Sequence, residues 1–139
     1  MPFRDIASIA GSAMTAQTVR LNTIASNLAN ADSAATSEGT AYRARKPVFA
    51  TVARETFAEH DTGGRVQVLD VVRSTEPLRK AYEPGHPMAD AEGMVYYPNV
   101  NQVAEMTDMM SASRAFETNV EVLGRLKAMQ QSLLKLGEG

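Results

Sequence analysis

Two stretches of helical periodicity enclose a middle that alternates like strands. From Ser12 to Asp32 the chain reads SAMTAQTVRLNTIASNLANAD, and Met14, Leu21, Ile24 and Leu28 fall near heptad spacing, with Ala7, Ala10 and Ala31 extending the stripe. That spacing lays them on one face of a helix. Phe3, Ile6, Ile9 and Ala10, continued by Ala13, form a second face shifted from the first. Two partly different faces imply contacts on more than one side, or a single core helix whose face wanders. Residues 4 to about 30 are predicted as one helix, which Gly11 weakens by about 1 kcal/mol relative to Ala.

The second helix is predicted from Asn99 to about Leu136. Its apolar positions run Val103, Met106, Met110, Phe116, Val120, Leu123, Leu126, Met129, Leu133 and Leu136. The later spacings average about 3.3, close to a coiled-coil repeat. Asn99 or Asn101 can cap the start, which leaves Glu105 near the positive end of the helix dipole. Met106, Met109 and Met110 make a soft patch, and Arg114 and Glu117 are i,i+3 neighbours. At about 1.5 Å per residue, helices of this length extend roughly 40–55 Å.

Between the helices the period changes. Ala31 to Thr40 has none and reads as a mobile loop. KPVFATVARETF alternates through Val48, Ala50 and Val52. After the turn signal Asp61-Thr62-Gly63-Gly64, RVQVLDVV places Val66 and Val68 on one face and Leu69 and Val71 on the other. This is a hairpin. A two-stranded hairpin is marginal alone and needs a further strand or a helix beneath it; Leu78–Tyr82 and Met94–Tyr97 are candidate strands. The run Tyr82–Asn101 holds Pro84, Pro87, Pro98, Gly85 and Gly93, which fix an irregular path. The organisation read from the pattern is an N-terminal helix over 1–31, a loop over 32–44, a small β-rich insertion over 45–98 and a C-terminal helix over 99–139. The fold class is α+β, with two long helices pairing as a coiled-coil-like unit around that insertion.

Composition narrows the function classes. The 139 residues carry a formal net charge of −2, no Cys, no Trp and eight Met. One domain with an aliphatic core is implied. There is no basic footprint for nucleic acid, no thiolate site, no apolar run of about 18 residues for a bilayer span, and no apolar segment of a secretory signal. By ordinary rules the chain stays in the cytoplasm.

Candidate chemistry is sparse. His86, Asp90 and Glu92 are the one cluster open to an acid/base or metal reading, and the only other His is His60, in the predicted turn. Catalytic readings need convergent geometry, so the bland reading, a shaped loop with solvated carboxylates, is preferred. Asn22, Asn27 and Asn30 cost helix propensity. Buried Asn fixes register between packed helices, whereas Asn near a helix end winds it down toward a loop. Spacing leaves both open.

The words of these stretches add to their spacing. LNTIASNLANAD resembles the N-terminal signature of the bacterial flagellar axial proteins, the rod, hook and hook-associated subunits. EPGHPMADAEGMVYYPNVN, the Glu105-Met106 pair, ASRAFETNVEVL and YRARKPVF at Tyr42–Phe49 resemble proximal rod subunits within that family. The likeness covers both ends and much of the middle and is weakest between Ala53 and Gln67. Phe116 stands where the family often has Tyr.

The resemblance implies a non-enzymatic structural subunit of the basal-body rod, without cofactor, metal or small-molecule substrate. It implies self-assembly with other rod subunits, the adaptor joining rod to membrane ring, and passage through the flagellar type III export apparatus without a cleaved signal peptide. Assembly packing is then expected on Leu21, Ile24, Leu28, Phe116, Val120, Leu123 and Leu126, and register on Asn27 and Asn30. Pro84, Gly85 and Pro98 are expected to shape the loop. The rivals are a soluble helical adaptor or chaperone, and a small hydrolase or metal enzyme using His86, Asp90 and Glu92.

Overall fold

The computed structural model describes residues 2–53 and 64–137. Its order is α1 (Pro2–Ala29), β1 (Arg45–Ala53), β2 (Gly64–Arg73), β3 (Arg79–Tyr82), β4 (Met94–Tyr97) and α2 (Gln102–Gly137). Two long helices thus enclose a small antiparallel β insertion. Of the expected D-T-G-G turn, Asp61, Thr62 and Gly63 lie outside the described residues, and Gly64 opens β2.

α1 runs through Gly11 without a break and keeps its Thr hydroxyls occupied. Thr15, Thr18 and Thr23 each donate to the carbonyl four residues back. It ends where the Asn30 amide nitrogen donates to Ser26 O at 2.8 Å while the Asn30 carbonyl accepts from Ser33 N–H at 3.2 Å and Ser33 Oγ at 2.8 Å. These bonds close the last turn. α2 starts at Gln102 because Asn101 caps it, its Oδ1 accepting the Ala104 N–H at 3.1 Å, which fills one of the orphan donors of the first turn.

The helices are antiparallel. Gln102, at the start of α2, donates to Asp32 just beyond the end of α1, and Arg20 reaches Asp108 at 3.1 Å further along. α2 has 36 residues against 28 in α1, so it overhangs. Every residue from 127 to 137 is exposed, roughly 16 Å of helix at 1.5 Å per residue.

The β insertion is two separate two-stranded sheets, β1–β2 and β3–β4. Leu78–Tyr82 and Met94–Tyr97 therefore do not extend the first hairpin; they contain strands that pair with each other, Arg79 opposite Tyr97 and Tyr82 opposite Met94. The support the β1–β2 ribbon needs comes from α1, which packs on both its strands. Val66 N–H donates to Ser12 Oγ at 3.1 Å across that contact. The register shifts between Val48 and Phe49, which pair with Asp70 and Val68 and leave Leu69 without a partner. A bulge changes the parity of the residues beyond it, so Val71, opposite Pro47, joins the face of Val66 and Val68 rather than that of Leu69.

The loop after α1 is held, not loose. Ala35 exchanges both backbone bonds with Tyr96, at 2.9 and 3.0 Å, on the free edge of β4. Ala31, Ala35, Ala44, Leu78, Val95 and Pro98 are buried around this junction. Asn99, one of the two candidate caps, sits here instead: its Oδ1 accepts Ala44 N–H at 2.8 Å and its amide nitrogen donates to Glu76 O at 2.9 Å. A second core thus closes one end of the helix pair.

Candidate assembly interface

On α2 the apolar positions separate into two faces. Glu105, Ala112, Asn119 and Leu126 recur at seven-residue steps, with Phe116 and Leu123 between them, and all are buried or half-buried. α1 is the one described element that α2 packs against. Ala112 is fully covered (0% exposed), and so small a side chain lets the helix axes approach. Val103, Met106, Met110 and Val120 are exposed, Met110 by 61%. The single stripe read from the sequence is therefore an inward seam containing Phe116, Leu123 and Leu126 and an outward face containing Val120. Beyond Leu126 no helix opposes α2 among the described residues, and Met129, Leu133, Leu134 and Leu136 are exposed, Leu136 by 80%.

On α1, Ile24 is buried and Leu21 and Leu28 are half-buried. Asn27 is 1% exposed and ties three segments together. Its amide nitrogen donates to Arg45 O at 2.8 Å, while its Oδ1 accepts Arg45 N–H at 2.9 Å and Tyr42 Oη–H at 2.9 Å. The amide thus pairs with the first residue of β1 as a neighbouring strand would. Tyr42 Oη also lies 3.1 Å from Ser26 Oγ. Within the chain, Asn27 bonds α1 to the first residue of β1, and Asn30 bonds back into the last turn of α1. Asn27 was legible as a candidate; Tyr42 and Asn99 were not, because their partners are distant in sequence.

The Pro/Gly loop is built around Gly93 rather than Gly85. Gly93 has φ +79°, and a Cβ there would meet the Tyr82 ring at 2.9 Å and Pro84 Cβ at 3.1 Å. A residue with a side chain is strained in that region and has no room. Gly85 is exposed, with nothing within 4 Å of an added Cβ. Pro84 is exposed against that turn, and Pro98 is buried.

Nearby, the side chains of His86 and Asp90 are engaged in local turns, and Glu92 takes part there through its backbone N–H. His86 Nδ1 accepts Met88 N–H at 3.0 Å, and Asp90 Oδ1 accepts the N–H groups of Glu92 and Met94 at 2.9 and 2.8 Å. Among the described residues no group of three or more His, Asp or Glu is gathered as metal ligands, and no described helix is long and apolar enough to cross a membrane. One side-chain bond in this sheet has an electrostatic signature: Tyr97 Oη donates to Glu83 at 3.0 Å. That bond holds the phenol's pKa above its ordinary 10.0.

Comparison with known proteins bears on which assembly these faces serve. Residues 8–34 match the family described as flagella basal body rod protein, and residues 91–136 match the flagellar basal body rod FlgEFG protein C-terminal family. These two segments contain most of α1 and most of α2. The chain is 51% identical over 138 residues to the flagellar basal-body rod protein FlgC of Escherichia coli O6:H1, covering 99% of this chain and all of that one. It is 49% identical over 138 residues to that of Salmonella typhimurium, with the same coverage, and 34% identical over 145 residues to that of Borreliella burgdorferi, with 95% of each covered. Full-length likeness at these identities, with both helices matched, places the chain in the FlgC family of flagellar basal-body rod proteins.

Proposed function

We propose that this chain is a non-enzymatic building block of the proximal rod, which joins other rod subunits through the outward face and overhang of α2. The observation that carries the reading is the uncovered apolar surface: Val103, Met106, Met110 and Val120 along α2, then Met129, Leu133 and Leu136 beyond the end of α1. Val103, Met106 and Met110 are neighbours at three- and four-residue spacing on the helix surface, and clusters of exposed apolar side chains mark interaction sites. Surfaces at different places on one chain meet as heterologous contacts, which generate a helical array when the rotation does not close. In this reading the rod carries torque from motor to hook by stiffness, without chemistry. Its other contacts are the adaptor that joins rod to membrane ring and, in transit, the type III export apparatus, where helices that gain their last cover on assembly suit a narrow channel.

The test is a double substitution, Met110→Ser with Leu133→Ser, in cells lacking the native rod subunit. Both side chains are exposed, so chemical denaturation of the purified chain should change by no more than about 0.5 kcal/mol. Swimming and the recovery of rods in isolated basal bodies should be lost. Normal rods from that variant would reject the assembly role of this face. His86→Ala, by contrast, should leave motility intact.

A further inference from the structure

A cavity of about 400 Å³ is lined by Glu38, Tyr42, Arg43, Arg45, Arg73 and residues 39–41. Three Arg and one Glu line it, in a chain whose formal net charge is −2. The carboxylate is already engaged. Glu38 Oε1 accepts Arg43 at 3.3 Å, and its other oxygen lies 3.7 Å from Lys80 Nζ. Arg43 is engaged too, donating to the carbonyls of Glu76 at 3.0 Å and Ser74 at 3.5 Å.

Arg45 and Arg73 are different. They stand directly opposite each other across β1 and β2, both exposed, and no carboxylate among the described residues pairs with either. Like charges facing each other across a strand pair are destabilising. Yet Arg45 is held in place: its N–H and C=O are both bound by Asn27, and its guanidinium lies 5.6 Å from the centroid of the Tyr42 ring. Tyr42 is fixed in turn through its hydroxyl. Two Arg lining one concavity, one of them held against the Tyr42 ring, match an oxyanion, which guanidinium forks bind by charge-assisted hydrogen bonds.

We propose that this pocket binds an oxyanion between Arg45 and Arg73. The chemistry fits a free phosphate and equally a carboxylate offered by a second copy of the chain. The probe is inorganic phosphate, titrated into the ¹⁵N-labelled full chain with chloride replaced to keep ionic strength constant, because surface electrostatics are screened by salt.

The expected result is saturable shifts at the amides of Tyr42, Arg45 and Arg73, with Arg73→Gln weakening phosphate binding by about tenfold, as for loss of one charged hydrogen bond. Arg73→Gln relieves the like-charge pair, so the variant should keep a dispersed spectrum. Sedimentation distinguishes the sources. If phosphate and Arg73→Gln both reduce self-association, the anion is a carboxylate of a second copy; if phosphate binds with association unchanged, it is the free oxyanion. Shifts that chloride reproduces, or that persist equally in the Arg45→Gln/Arg73→Gln variant, would overturn the proposal.

Discussion

α1 and α2 have similar apolar periodicity and opposite surroundings. α1 lies between α2 on one side and both strands of the β1–β2 ribbon on another, and it buries Ala10, Ala16, Thr23, Ile24 and Asn27. α2 packs on α1 alone among the described elements and buries Glu105, Ala112 and Leu126. The difference lies in what reaches each helix. Periodicity states which side chains can share a face; it does not state whether anything faces them. A helix with two apolar faces and one neighbour leaves the second face for another molecule, which is how an assembly subunit differs from a self-contained bundle.

The second neighbour of α1 depends on one buried amide. Asn27→Ala removes the partner of Arg45 N–H, Arg45 C=O and the Tyr42 hydroxyl. The Tyr42 hydroxyl keeps Ser26 Oγ, while the two main-chain groups of Arg45 lose their partner; at roughly 1–3 kcal/mol for each such group, a loss of at least about 2 kcal/mol is expected in urea denaturation. A loss under about 1 kcal/mol, the low end for a single such group, would mean that α1 is not held to the ribbon by this amide.

The two faces of α2 supply the next test. Phe116→Ala, on the half-buried seam, should cost about 2 kcal/mol, less than the value for a fully buried Phe. Met110→Ala, on the outward face, should stay within about 0.5 kcal/mol. Equal losses would erase the distinction between seam and face.

Smaller effects belong to the β3–β4 unit, which provides a control away from both long helical faces. Gly93→Ala forces a side chain into a left-handed backbone against the Tyr82 ring. It should cost on the order of 1–2 kcal/mol and leave the α2 seam unchanged.

Least of all is a titration. Tyr97 donates to Glu83 and its pKa is raised by that bond. The native state therefore holds the proton longer than the unfolded chain. Any stabilisation is complete below the ordinary tyrosine pKa and is lost as pH rises through the native value. Ultraviolet titration should show Glu83→Gln bringing the phenol back toward its ordinary range.

The sequence by itself determined the two long helices, because apolar residues three and four apart over some thirty positions have few other ways to leave water. It also indicated the strands, while for Asn27 it offered two readings and did not choose between them, since three Asn in nine positions cost propensity without naming a partner. Its words, not its spacing, carried the family. The rest depended on contacts between segments distant in sequence. The stripe on α2 became a seam and a free face because α1 is the one described element that packs against it. The loop after α1 is pinned because β4 presents it an unpaired edge, and two strands expected to extend one hairpin form a sheet of their own. Gly93 rather than Gly85 carries the turn because the Tyr82 ring sits over it. In each case the deciding group lies outside the local run of sequence, and local pattern holds no information on which surface will arrive.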